Sequence, residues 1–190
     1  TFTSLQIAQE MTSKGGTVLF LVPSLALLSQ TLKEWKREAS VNFRAYAVCS
    51  DSKLSKQAST EDTRVADLAY PSTTNVEKLA SHFHEGTEAE LTVIFSTYQS
   101  IEVVAAAQKK GLPEFDLIVC DEAHRTTGVT LAGDDESHFV RVHDNGFIKG
   151  SKRLYMTATP RIYAEASKAK AEEASAVLAS MDNESQFGKE

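Results

Sequence analysis

The chain is expected to fold as an α/β domain, a parallel sheet flanked by helices on both faces. Three observations support this. Short apolar runs alternate with stretches of helical periodicity along most of the sequence. The run Leu117-Ile118-Val119-Cys120 is too short for a helix and apolar throughout, which is the pattern of a strand buried on both faces. That run ends abruptly in Asp121-Glu122-Ala123-His124, and parallel sheets present ligand-binding residues at the carboxyl ends of their strands. A chain of 190 residues, 42% hydrophobic, can bury one core, so a single domain is expected.

The elements follow in order. An opening helix from about Thr1 places Leu5, Ile7, Ala8 and Met11 as its apolar positions. Thr17–Val22 reads as a strand between Gly15-Gly16 and Pro23. Ser24 is a suitable N-cap for a helix from about Leu25 to Glu38, where Leu28, Leu32 and Trp35 recur at helical spacing. Phe43–Val48 alternates as a strand does, and the polar, Ser/Thr-rich segment from Ser50 to Thr74 reads as a loop or insertion around a short helical piece. Thr92–Thr97 is a strand, followed by a helix from about Ser100 to Lys110 that stops at Gly111-Leu112-Pro113. Beyond the Asp121 strand come a Gly/Thr/Asp-rich loop (125–136), a helix from about Ser137 to His143 and a strand over Lys152–Met156. The Ala/Glu/Lys-rich tail from Tyr163 to Met181 reads as one helix with Ala166, Ala169, Val177 and Met181 inward.

Composition removes several classes. No apolar run is long enough to span a bilayer and no signal-peptide pattern opens the chain, so a cytoplasmic protein without a membrane partner is expected. Cys49 and Cys120 are expected as buried, reduced thiols. A formal net charge of −6 argues against gripping nucleic acid by bulk positive charge. It leaves open contact through hydroxyls, backbone amides and helix N-termini. His82-Phe83-His84, and His138 and His143 with Asp134, Asp135 and Glu136, lack the cysteines or the His spacing of a metal site and read as polar loop.

The residues at the strand ends carry the chemistry. Asp121 and Glu122 stand where a metal-bound phosphate would be met, and Thr157-Ala158-Thr159-Pro160 follows another short strand. Small hydroxyl residues around an alanine can approach a neighbouring strand end and satisfy its carboxylate or histidine. Asp121-Glu122-Ala123-His124 resembles the Walker B box of superfamily 2 helicases and translocases, and Thr157–Pro160 resembles their motif III. Val22-Pro23-Ser24-Leu25 with Gln30, and Phe95-Ser96-Thr97-Tyr98-Gln99-Ser100, resemble the turns by which these enzymes touch a nucleic-acid backbone. Within the superfamily, Arg125-Thr126-Thr127-Gly128 and the run from Arg153 to Tyr163 look most like the helicase-like motors of restriction–modification enzymes.

The resemblance implies a RecA-like P-loop NTPase domain that uses ATP and Mg²⁺. By it, Asp121 orients the metal and Glu122 polarises the attacking water. His124, Thr157 and Thr159 would couple nucleotide state to the nucleic-acid site, and Pro23, Ser24, Ser96, Thr97, Tyr98 and Gln99 would line that site. The family's Gly-Lys-Thr/Ser loop is not in the sequence; Thr1 is then expected as its last residue, supplying a metal-ligating hydroxyl. Residues 1–163 are expected to form the first motor domain, and 164–190 a helix leading toward a second RecA-like domain of the same polypeptide. The implied partner is double-stranded DNA, and the implied activity is ATP-driven translocation, with negligible turnover by residues 1–190 alone. The alternatives are an RNA helicase domain and a non-catalytic nucleic-acid-binding scaffold of the same fold.

Overall fold

The computed structural model describes residues 1–12, 15–49, 74–84, 90–130, 138–174 and 176–188. The insertion expected over 50–74 lies almost wholly outside them, as do Asp134, Asp135 and Glu136.

Five parallel strands form the sheet: β1 (Gly16–Val22), β2 (Phe43–Val48), β3 (Leu91–Thr97), β4 (Leu117–Cys120) and β6 (Arg153–Tyr155), in the spatial order β2-β3-β1-β4-β6. β1 is central, its Phe20 in register with Phe95 of β3 and Val119 of β4. All seven residues of β1 and all four of β4 are buried, because helices cover both faces. Val18, Phe20, Val22, Leu117 and Val119 face one core with α1 (Phe2–Met11) and α2 (Leu25–Glu38). Leu19, Leu21, Ile118 and Cys120 face the other, with α3 (Val76–His84) and α4 (Ile101–Lys109). This alternation is the period of two of a strand. Asp116 locks the entry to β4 by accepting from the Thr17 amide (2.7 Å) and hydroxyl (3.2 Å).

Local signals set the helix ends. Ser24 accepts from the Leu27 amide at 3.3 Å and so caps α2. α4 closes into Gly111 at φ 109°, a left-handed backbone that glycine takes without a Cβ clash.

Three segments depart from the sequence expectation. α3 was not anticipated, although Val76, Leu79, Ala80 and Phe83 have helical spacing and Asn75 accepts from the Lys78 amide at 2.8 Å. The helix expected over 137–143 is a single 3-10 turn, Val140–His143. The tail is not one helix: α5 (Glu165–Glu173) stops, β7 (Val177–Ala179) pairs antiparallel with β5 (Gly128–Thr130), and a short α6 (Glu184–Phe187) follows. Ladder bonds to a distant strand outweigh the weak helical preference there. Ala166 and Ala169 are exposed, and the inward residue of α5 is Ala171. Cys49 and Cys120 are buried and not joined in a disulfide, and burial pushes Cys120 up to about 12. Among the described residues, no helix is long and apolar enough to cross a membrane.

Candidate functional site

β4 delivers its carboxylates at the carboxyl end of the sheet. The Asp121 amide donates to Leu21 O of β1 at 2.9 Å, so strand pairing persists to the first carboxylate. The chain then turns sharply. Glu122 has φ 51° and ψ 47°, the one positive φ of a non-glycine among the described residues. This conformation costs roughly 1–2 kcal/mol and persists only where surroundings over-determine it. Here the Glu122 amide donates to Asp121 Oδ1 at 3.0 Å, and the Ala123 amide to Met156 O at 2.8 Å, beyond the end of β6. A 3-10 turn, Ala123–Thr126, follows, held by Thr126 Oγ1 on Ala123 O (2.8 Å) and Thr127 Oγ1 on His124 O (2.6 Å). From the opposite face, the buried Tyr98 hydroxyl donates to Asp121 O at 2.9 Å.

Two adjacent carboxylates and partial burial set the electrostatics of this corner. Burial, chiefly, raises the pKa of Asp121 above its ordinary value; the Glu122 amide opposes this and the Glu122 charge adds to it. Among the described residues no group of three or more His, Cys, Asp or Glu could hold a metal. Two adjacent carboxylates suit Mg²⁺, which keeps most of its waters and takes few protein ligands. Because the folded pKa is raised, stability is greatest below the unfolded value and falls as pH rises through the folded one. Asp121→Asn is therefore expected to raise the melting temperature in divalent-free buffer at pH 7, by about 1–3 °C, and the gain should vanish near pH 4. A lower melting temperature at pH 7 would overturn this account.

His124 lies across the gap between β4 and β6. Its Nδ1 is 3.0 Å from Thr157 Oγ1 and 3.3 Å from Glu122 Oε2. The Thr157 contact is a hydrogen bond, whereas the Glu122 oxygen stands at ion-pair distance, a charge pair when the ring is protonated. The Thr157 hydroxyl also accepts from the Thr159 amide (3.2 Å) and donates to Thr159 O (3.4 Å). Thr159 thus enters the cluster through its main chain, with its side chain exposed. Thr1 is the N-cap position of α1 without a side-chain capping bond, exposed beside Glu34 and Trp35 of α2.

The residues expected to line a nucleic-acid site divide by exposure. Pro23, Ser96, Thr97 and Tyr98 are buried, with Ser96 Oγ donating to Thr97 O (3.0 Å) and Thr97 Oγ1 to Ser100 Oγ (3.2 Å). Gln99 is exposed, and Ser24 is half-buried with its hydroxyl on the helix cap. Two residues at this corner were not anticipated in these places. Tyr98 anchors Asp121, and His143 sits between Thr126 and Tyr155. Nothing in local spacing signals either contact, since each joins residues far apart in sequence. A groove of about 430 Å³ runs along β6 beside Thr157, lined by Leu154, Tyr155, Pro160, Ile162 and Phe187.

Comparison with known proteins agrees with this architecture. The profile of the type III restriction enzyme res subunit family matches residues 1–162. A probable helicase of African swine fever virus is 34% identical over 150 residues, 77% of this chain and 14% of the relative; the counterpart from a Kenyan isolate is 32% identical over 149. The chain thus spans 14% of the length of the viral relatives it matches. Two solved structures cover 98% of the chain. One is the ATP-dependent type ISP restriction–modification enzyme LlaBIII bound to DNA, with 42% identity, TM-score 0.77 and 12% of that chain covered. The other is a nuclease-deletion mutant of the type ISP enzyme LlaGI in complex with a DNA substrate mimic, with 38% identity, TM-score 0.71 and 16% covered. The five-stranded parallel sheet, its paired carboxylates at the end of β4 and the match across residues 1–162 converge: the chain belongs to the type III restriction enzyme res subunit family, a helicase-like family.

Proposed function

We propose that this chain is the first RecA-like motor domain of an ATP-dependent DNA translocase serving a restriction–modification enzyme. The observation that carries the reading is the corner where Asp121 and Glu122 end β4 and His124 meets Thr157. In this reading residues 1–163 form the motor domain, and 164–190 lead toward a second RecA-like domain of the same polypeptide. The names of the solved relatives, an ATP-dependent enzyme bound to DNA and an enzyme with a DNA substrate mimic, support ATP and duplex DNA as the ligands.

The roles follow from the chemistry of each group. Asp121 and the Thr1 hydroxyl would hold Mg²⁺, which when bound would neutralise charge on the transferred phosphoryl group. Glu122 accepts a proton from the attacking water and orients it, its backbone fixed by the left-handed turn. His124 holds the Glu122 carboxylate and senses the position of Thr157, so a shift at one is felt by the other. A nucleic-acid backbone meets the side chain of Gln99 and the Ser24 turn, where the N-terminus of α2 presents amides. The buried Pro23, Ser96, Thr97 and Tyr98 shape those turns from beneath.

The test is ATP turnover by the full-length protein with duplex DNA, with RNA and without nucleic acid. Stimulation by duplex DNA is expected. Stimulation by RNA alone would identify an RNA helicase, and nucleic-acid binding without turnover would identify a scaffold.

A further inference from the structure

His143 stands outside the motif residues yet touches both segments that the site must keep together. Its Nε2 is 3.0 Å from Thr126 O, on the turn that carries His124. Its Nδ1 is 2.9 Å from the Tyr155 hydroxyl, on β6, two residues before Thr157. The Thr126 carbonyl only accepts, so Nε2 carries a hydrogen. The Tyr155 hydroxyl has one hydrogen and two acceptors in reach, Nδ1 at 2.9 Å and Gln186 O at 3.3 Å; on a neutral ring Nδ1 is a lone pair and takes the shorter bond. The ring is packed as well, with its centroid 4.7 Å from Phe187 and 5.4 Å from Tyr155. Burial, foremost, and the Arg153 charge hold its pKa below the ordinary imidazole value, against the Thr126 and Gln186 carbonyls, which raise it, and this favours the neutral ring. The same two segments are therefore joined twice: by His124 on Thr157 at the open side, and by Thr126–His143–Tyr155 behind it.

We propose that His143 is a positioning residue, a neutral imidazole bridge that keeps the Ala123–Thr127 turn in register with β6 so that His124 meets Thr157. The consequence for turnover rests on the function proposed above; the geometric part does not.

The experiment compares His143→Phe, His143→Gln and Tyr155→Phe, singly and as the double phenylalanine variant, in the full-length protein. Phenylalanine preserves ring packing and removes both hydrogen bonds, whereas glutamine keeps an amide donor near the position of Nε2. His143→Phe is expected to lower DNA-stimulated kcat about tenfold, the scale of a small misplacement of catalytic groups, with KM for ATP nearly unchanged. His143→Gln should recover most of that loss. The double variant should be no worse than His143→Phe, because the two residues form one chain of bonds. Losses that track the fall in melting temperature, additive losses, or a glutamine variant as poor as phenylalanine would overturn the proposal. A second readout does not need turnover: in ¹⁵N-histidine spectra, His143 should show the Nε2–H tautomer, and His143→Phe should shift the His124 signals. An unmoved His124 overturns the bridge. A wild-type protein without nucleic-acid-stimulated turnover would overturn the functional reading alone, leaving the spectra to decide the bridge.

Discussion

Glu122→Gln in the full-length protein is expected to reduce ATP hydrolysis by roughly 10²–10⁴-fold, the usual contribution of a positioned general base, while leaving ATP binding near that of the wild type. The side chains are nearly isosteric, so the left-handed backbone at φ 51° and the turn it begins should survive. The amide also keeps an oxygen beside His124 Nδ1, which lies 3.3 Å from Oε2 in the native arrangement. What is lost is the ability to take a proton from water. Asp121→Ala should behave differently, weakening Mg²⁺-dependent nucleotide binding itself, because it removes a carboxylate that suits the metal rather than one that suits the water. Equilibrium nucleotide binding measured beside steady-state turnover separates the two. Normal hydrolysis by Glu122→Gln would remove that residue from its assigned role.

The largest expected stability loss lies at Trp35. Its ring is fully buried and meets Phe20, Phe95 and Phe43 edge-on, with centroids at 5.2, 5.5 and 6.3 Å. It joins α2 to the strand residues of β1, β2 and β3 on one face of the sheet. Trp35→Ala leaves a cavity among aromatic rings that cannot collapse into it and should cost about 3–5 kcal/mol. Among the described residues the indole N–H has no hydrogen-bond partner. Trp35→Phe should therefore cost far less, since it keeps much of the ring contact and deletes a buried donor without a partner among the described residues. Chemical denaturation with both variants checks the pair. Equal losses would mean that the indole's second ring, rather than the shared aromatic packing, holds this face together.

The sheet and the chemical corner were legible in sequence for one reason: both are written in short local patterns. An uninterrupted apolar run is what a strand covered on both faces needs, so β1, β3 and β4 could be placed from Thr17–Val22, Thr92–Thr97 and Leu117–Cys120. Strand polarity then put Asp121 and Glu122 at the ligand end. Ser24 and Gly111 likewise act through bonds and dihedrals within a few residues of themselves.

Other features depend on partners distant in the chain. β7 exists because Gly128–Thr130 lies beside it, against the helical preference of its flanks. Burial of Pro23, Ser96, Thr97 and Tyr98 follows from helices and turns closing over the strand ends, which side-chain chemistry alone does not report. His143 shows the division most sharply. Its sequence neighbourhood suggested polar loop, and only folding brought Thr126 and Tyr155 within 3.0 and 2.9 Å of its two nitrogens. The sequence by itself determined which residues could carry charge, cap helices and pair as strands. The tertiary structure decided which face solvent, because burial and long-range hydrogen bonds depend on separations in space that local spacing does not encode.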